Sequence, residues 1–247
     1  MADLHIAVFA KAPVAGRVKT RLIPLLGDQG AAAVHQQMLL HALQIASAAT
    51  PGQVSLWTSG TPDHPFLTMC KTRFSALQFE QIEAPLGARM AACLAQLSQQ
   101  HQRVLLIGSD CPVLSATDLQ CADAALQSGA KMVFTPAEDG GYVLVGLRQM
   151  VEKVENSSTR QIRYRAAVDE LIRTEPDTAE AGYAAFDDIA WSTADVMRQT
   201  RERLAVQGWR AGRDWAEMPM RWDVDEPADF LRAVRAGLLS ATVTVAK

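Results

Sequence analysis

Short apolar segments alternate with longer amphipathic segments along most of this chain. Residues 4–10 and 104–107 form compact apolar runs bounded by polar residues or glycine, which is typical of strands buried on both faces of a parallel sheet. Residues 28–49 and 86–100 instead place their apolar side chains at helical spacing. Strands that alternate with helices of this length predict βαβ units and a mostly parallel sheet.

The same patterns predict the other elements of the chain. Strands are expected at residues 4–10, 53–58, 77–82, 104–110, 131–135, 142–147 and 221–224, with a further one within 208–217. Helices are expected at residues 28–49, 66–73, 86–100, 115–128, 159–173, 192–206 and 227–236, two of them opened by the capping boxes Ser115-x-x-Asp118 and Ser192-x-x-Asp195. Only six residues separate the strand that ends at 135 from the one that begins at 142. Because a parallel crossover needs more, one strand is expected to be reversed.

Composition narrows the class of protein further. No internal repeat or low-complexity linker interrupts the pattern, so residues 1–247 are expected to form one α/β domain with three αβα layers. The formal net charge of −3 gives no general attraction to nucleic acid or to a membrane surface. No apolar run approaches the roughly 18 residues that a spanning helix needs. The four cysteines lack zinc-site spacing, and the N-terminus lacks a signal-peptide pattern, so a cytoplasmic protein with reduced thiols is expected.

The loop predicted after the first strand concentrates positive charge. Residues 11–22 carry the four cations Lys11, Arg17, Lys19 and Arg21, together with Gly16, and no acid. Such a loop at the carboxyl end of a strand can bind phosphates through its side chains and its backbone N–H groups. The spacing of a Walker A loop is missing. A plain solvated basic loop is the alternative interpretation.

An acid follows the predicted central strand. Asp110 comes directly after the apolar run and Gly108, and in open α/β sheets ligands bind at the carboxyl ends of the strands. A role in a turn is the alternative. Asp139, Gly140 and Gly141 form a second candidate loop, because two glycines after an acid allow the backbone to approach a ligand closely.

A third acidic segment lies near the end of the chain. Asp223 and Asp225 alternate on the predicted edge strand and should therefore point to the same side. Together with Asp110 they could hold a hard divalent cation through oxygen ligands. Asp225 could instead be the N-cap of the helix that follows, with Pro227 in its first turn.

The chain resembles a bacterial glycosyltransferase-like family that was formerly described as a domain of unknown function (DUF2064). The resemblance covers residues 4–147 and 186–235 through the ordered motifs F-A-K-A-P-x-x-G-R-V-K-T-R-L, P-L-G-x-R-M, G-S-D-C-P, P-A-x-D-G-G-Y-x-L-x-G-L, F-x-x-I-x-W-S-T and D-V-D-x-P-x-D. That family is similar to 2-phospho-lactate guanylyltransferase and to the nucleotide-diphospho-sugar transferase (GT-A) superfamily, which implies a Rossmann-like αβα fold. Residues 156–182 look longer than the usual connection of the family, which suggests an insertion there.

The resemblance implies a role for each motif. It assigns nucleotide binding to Lys11, Gly16, Arg17, Lys19, Arg21, Leu86, Gly87 and Arg89. It assigns the substrate loop to Gly140, Gly141 and Tyr142, catalysis to Asp110 and Asp139, and metal binding to Asp110 with Asp223 or Asp225. One departure from the superfamily is that a single acid, Asp110, stands where a D-x-D pair is usual.

The implied activity is a Mg²⁺- or Mn²⁺-dependent transfer from a nucleotide-activated donor to an unknown acceptor. Glycosyl transfer from a nucleotide sugar is the expected reaction. Nucleotidyl transfer from a nucleoside triphosphate to a phosphorylated acceptor, with release of pyrophosphate, is the alternative that the basic loop favours. A non-catalytic nucleotide-binding module is a further alternative, suggested by the single acid at position 110.

Overall fold

The computed structural model describes residues 3–149 and 183–240 of the chain. Within these residues seven strands form one sheet: β1 Leu4–Lys11, β2 Val54–Ser59, β3 Leu77–Glu80, β4 Arg103–Gly108, β5 Met132–Pro136, β6 Tyr142–Arg148 and β7 Trp215–Glu217. Their order across the sheet is β3-β2-β1-β4-β6-β5-β7. Strand β6 runs antiparallel to both β4 and β5, whereas the other neighbours are parallel. The expected mostly parallel sheet with one reversed strand is therefore confirmed.

Helices cover both faces of this sheet. Those described are α1 Ile23–Ala49, α2 Pro65–Phe74, α3 Leu86–Ser98, α4 Ala116–Gln127, α5 Val196–Val206 and α6 Pro227–Arg235. None of these helices is long and apolar enough to cross a membrane. The predicted capping box of Ser115 and Asp118 is present at the start of α4.

Alternation along the strands builds the two cores. In β1, Ile6 and Val8 point to the face covered by α1, α2 and α4, whereas Ala7 points to the face covered by α3 and α5. In β4, Leu105 and Leu106 divide between the same two faces. Because successive side chains of a strand point to opposite faces, apolar runs of this kind supply both cores at once. The expected three-layer αβα fold is confirmed.

Two local predictions are wrong. Helix α5 begins at Val196 with no side-chain cap, and Ser192 has a positive φ of 65°, so the predicted capping box of Ser192 and Asp195 does not form. Residues 221–224 are not a strand and contribute one isolated bridge between Arg221 and Ala137. A helix break at Gly27 (φ 68°, ψ 171°) separates the first turn of α1 from the rest. The predicted helix at 159–173 and the insertion at 156–182 lie outside the described residues, and the one-domain organisation stays a prediction.

Candidate functional site

A buried lysine joins the first strand's loop to two acidic segments at the carboxyl end of the sheet. The Nζ atom of Lys19 lies 3.0 Å from Oδ2 of Asp110 and 3.7 Å from Oδ1 of Asp225. It also donates a hydrogen bond of 2.6 Å to the carbonyl oxygen of Val224. The Lys19 side chain is 6% exposed, whereas those of Asp110 and Asp225 are 44% and 48% exposed. The two carboxylates are therefore partly exposed to solvent, whereas the ammonium between them is buried.

The loop reaches this position because apolar side chains anchor it on both sides of Lys19. Val18 and Leu22 are buried, and Leu22 packs in one apolar cluster with Val224 and Phe230. Lys19 itself adopts the left-handed conformation, with φ 46° and ψ 44°. This conformation costs a non-glycine residue roughly 1–2 kcal/mol, and the ion pairs of its side chain offset that cost.

Backbone contacts hold the two acidic segments together. The N–H of Val224 donates to the carbonyl of Asp110 at 2.9 Å, and the Cys111 thiol donates to the carbonyl of Trp222 at 3.3 Å. The N-cap of α6 is Glu226, which forms a capping box with Asp229. The alternative interpretation of Asp225 as the N-cap is therefore wrong, and its carboxylate is free to face Lys19.

Mutual pairing keeps the groups of this cluster charged. Burial alone would lower the pKa of Lys19, but the Asp110 carboxylate outweighs it and the pKa is raised. Burial would likewise raise the pKa of Asp110, but Lys19 and then His35 outweigh it and the pKa is lowered. Arg21 adds a second cation by pairing with Asp225 and Glu226.

His35 belongs to this site although no local pattern along the chain indicates it. Its Nε2 donates to the carbonyl of Lys11 at 3.0 Å, and its Nδ1 lies 3.9 Å from Oδ1 of Asp110. Burial lowers its pKa, which favours the neutral ring. Only the packing of α1 against the ends of β1 and β4 brings this histidine to Asp110.

The loop after β5 brings further acids to the same end of the sheet. Burial, and then the charge of Asp139, raise the pKa of Asp223 to about 6. The Asp139 carboxylate accepts a hydrogen bond of 2.9 Å from the N–H of Gly141. Gly140 has φ 90°, and a Cβ atom there would lie 2.0 Å from the carbonyl oxygen of Ala194. The loop can therefore close only with glycine at this position.

A separate cleft lies at the carboxyl ends of β2 and β3. It encloses about 230 Å³ and is lined by Ser59, Gly60, Glu80, Gln81, Ile82, Glu83, Ala84 and Arg89. The guanidinium of Arg89 donates to Oε1 of Gln81 at 2.8 Å, and Nε2 of Gln81 donates to the carbonyl of Trp57 at 2.8 Å. Burial lowers the pKa of Arg89. Gln81 is thus a site residue that the sequence did not indicate.

Other predicted residues divide between exposed and packed positions. Lys11 and Arg17 are exposed, and Gly16 has φ 77°.

Gly87 lies against Trp191, whose side chain would be 2.8 Å from an added Cβ atom. Tyr142 packs edge-on against Trp191 and Phe134, and burial raises its pKa. Leu86 packs at the edge of the apolar core that lies between the sheet and helices α3 and α5. These packing contacts fix the positions of the segments that carry these residues. The binding roles of the residues stay predictions.

The carboxylates of Asp110 and Asp225 suit a divalent cation that is also bound by phosphate. No group of three or more His, Cys, Asp or Glu side chains that could hold a metal occurs within residues 3–149 and 183–240. Asp110 and Asp225, however, already bracket a positive charge, the Lys19 ammonium. Mg²⁺ is usually bound by one or two carboxylates together with substrate phosphates and water. The residues present therefore fit such an ion only if a phosphate ligand completes its coordination.

Comparisons with known proteins agree with the resemblance. A family model described as "Uncharacterized protein conserved in bacteria (DUF2064)" matches residues 42–163. A crystal structure from Desulfovibrio desulfuricans G20, provisionally assigned as a nucleotide-diphospho-sugar transferase, is 25% identical with a TM-score of 0.70, covering 98% of this chain and 90% of that one. No curated protein matches the chain.

More distant solved structures share the fold. A cytidylyltransferase from Leptospira borgpetersenii is 10% identical with a TM-score of 0.54, covering 97% of this chain and 89% of that one. The 4-diphosphocytidyl-2C-methyl-D-erythritol synthase from Anaerococcus prevotii is 11% identical with a TM-score of 0.54, covering 96% and 97%. The expected GT-A-like fold is therefore confirmed.

Proposed function

We propose that the chain is a divalent-metal-dependent transferase that acts on a nucleotide sugar. The observation that carries this proposal is the arrangement of Asp110 and Asp225 around a positive charge at the carboxyl end of β4. In this proposal Asp110 and Asp225 hold Mg²⁺ or Mn²⁺, with Asp223 close by. The bound ion would neutralise charge on the leaving diphosphate.

The chain's own residues would bind and orient the donor. Phosphate oxygens can be contacted by the exposed Lys11 at the end of β1 and by the exposed Arg17 in the loop that follows. The cleft beside Arg89 would take the base or sugar, with Gln81 fixing the guanidinium. The Asp139–Gly141 loop would lie over the reacting group, and Asp139 would contact the acceptor.

The charge balance of the loop favours glycosyl transfer. Two of its four cations, Lys19 and Arg21, are paired with acids before any ligand binds, so Lys11 and Arg17 supply the positive charge that an arriving donor meets first. That charge suits the diphosphate of a nucleotide sugar better than it suits a triphosphate. The likeness to the Desulfovibrio protein supports the same choice.

Nucleotidyl transfer is the second candidate, because the loop still carries four cations in total and the cytidylyltransferase shares the fold. The purified chain should be incubated with nucleotide sugars and with nucleoside triphosphates, each with Mn²⁺ and with EDTA. We expect Mn²⁺-dependent release of a nucleoside diphosphate from one nucleotide sugar, by slow hydrolysis even without the acceptor.

Release of pyrophosphate from a triphosphate plus a phosphorylated acceptor, with every nucleotide sugar intact, would replace the first candidate by the second. A thermal-shift panel of the same compounds tests the whole class, because a ligand that binds only the folded state raises the apparent stability. If none of them shifts the unfolding transition, the chain is not a nucleotide-dependent transferase.

A further inference from the structure

The Lys19 ammonium has the surroundings of a bound cation. An ammonium has three N–H donors, and three oxygen atoms surround this one, at 2.6 Å from Val224, 3.0 Å from Asp110 and 3.7 Å from Asp225. The side chain is nearly inaccessible, at 6% exposed. Its charge is therefore committed to the carboxylates and is not presented to solvent.

These oxygens include the two carboxylates that a divalent ion would need. An ammonium and a divalent ion cannot share the space between Asp110 and Asp225, because two cations at such a distance repel each other strongly. Free metal would have to displace a buried lysine and would gain only two carboxylates in return. A metal ion carried by a nucleotide brings phosphate ligands of its own and also offers Lys19 new anionic partners.

We propose that Lys19 is the resident cation of the acid pair in the nucleotide-free protein, so that the substrate of the site is a preformed complex of divalent metal and nucleotide. When the complex binds, the Lys19 ammonium would pass from the carboxylates to phosphate oxygens, and Asp110 and Asp225 would then hold the metal ion. The inference rests on the proposed function, because it assumes that this site takes a nucleotide with a metal.

The surroundings of Lys19 allow this exchange. Arg21 pairs with Asp225 and Glu226, and the Ser109 hydroxyl donates to Asp110 at 3.2 Å. Both carboxylates thus keep a partner when Lys19 leaves. The loop is anchored by the buried Val18 and Leu22, so only the flexible four-carbon side chain of Lys19 has to move.

The test is a titration of Mn²⁺, followed by electron paramagnetic resonance of the unbound ion. Wild type, Lys19→Met and Lys71→Met are compared without nucleotide and with UDP, GDP, CDP or ADP. Lys71→Met is the matched control, because it removes one lysine charge at an exposed position of α2, outside the proposed binding loops. Circular dichroism establishes that each variant is folded.

We expect wild type to bind Mn²⁺ weakly alone and about tenfold or more tightly with the matching nucleoside diphosphate, within the usual range of coupling between two ligands. Lys19→Met should bind Mn²⁺ about tenfold more tightly than wild type without nucleotide and should lose most of that coupling, whereas Lys71→Met should change the Mn²⁺ affinity by less than about twofold. Equal Mn²⁺ affinity of wild type and folded Lys19→Met would overturn the inference.

Wild type alone provides a test that does not need the variant to fold. Tight binding of one Mn²⁺ without nucleotide, unchanged when a nucleoside diphosphate is added, overturns the inference but leaves the proposed function standing. Failure of every nucleotide to bind, with or without Mn²⁺, refutes the proposed function itself.

Discussion

The two ends of the sheet each hold a buried ionisable side chain, which is charged at one end and neutral at the other. At the carboxyl end, Lys19 is 6% exposed and remains charged between Asp110 and Asp225. At the amino end, His5 is 2% exposed and its Nε2 lies 2.8 Å from the Ser55 hydroxyl. Burial, and then the neighbouring His101, lower the pKa of His5 to about 4. Burial is similar in the two places, so the charge state is decided by the partners.

This difference separates the part of the sheet that can bind a charged ligand from the part that only supports the fold. A charge kept inside a protein requires a partner of opposite sign, and such a pair can exchange partners with a ligand. A neutral histidine that contacts a serine hydroxyl and a stacked histidine ring has no charged partner to exchange. Arg89 lies between these two cases. It is a desolvated cation, but its hydrogen-bond partner, Gln81, is uncharged.

The largest effect is expected from Asp110→Asn, which keeps the shape of the side chain and removes its charge. Turnover should fall by about 10²–10³-fold, the usual cost of losing one electrostatic group of an active site. Lys19 would remain buried beside a neutral amide, so the free energy of unfolding should also fall, by about 1–3 kcal/mol.

Steady-state kinetics and urea denaturation measure both effects. Asp63→Asn, at an exposed position of the loop between β2 and α2, should change neither quantity. Unchanged turnover in Asp110→Asn would remove the functional distinction between the two ends of the sheet.

The second effect is the pH dependence of the free energy of unfolding, to which His5 at the amino end of the sheet contributes. The pKa of His5 is 6.5 in the unfolded chain and about 4 in the folded protein, so the unfolded state binds more protons between these values. Stability should therefore fall as the pH is lowered from 6.5 towards 4, by about 3 kcal/mol from this group. His5→Gln lacks this contribution and should show a correspondingly shallower loss.

Urea denaturation of both proteins at several pH values compares the slopes, so that any constant cost of the substitution cancels. Parallel slopes for wild type and His5→Gln would show that the amino end does not hold its histidine neutral.

The smallest effect is expected from Arg89→Met at the cleft beside β2 and β3. One hydrogen bond from a charged group contributes about 1.5–3 kcal/mol, so the affinity for nucleotide should fall at least about tenfold. The Mn²⁺ dependence should stay as in wild type, because Arg89 does not contact the acid pair.

Calorimetric titration of nucleotide measures this affinity, and Arg73→Met in α2 is the control for loss of an exposed arginine. A lost Mn²⁺ dependence in Arg89→Met would mean that the cleft and the acid pair form one unit.

Much of the fold could be predicted because its signals are local. The apolar runs of β1 and β4 identify strands buried on both faces, and the six-residue link before Tyr142 requires the reversal of β6. The capping box of Ser115 forms because all its atoms lie within one turn of chain. The similar box of Ser192 fails, since Trp191 packs against Gly87 and Ala194 packs against Gly140 instead. Tertiary contacts override local preference there.

The sequence by itself determined the elements, their order and the type of side chain at the end of each strand. It therefore indicated that a basic loop, Asp110 and the Asp223–Asp225 segment would meet at one edge of the sheet. Only the tertiary structure decided that Lys19, among four cations, is buried between two acids, and that His35 and Gln81 join the site. The physical reason is that these contacts connect distant parts of the chain. Lys19 and Val224, for example, lie 205 residues apart, and no local pattern encodes which cation a folded loop turns inward.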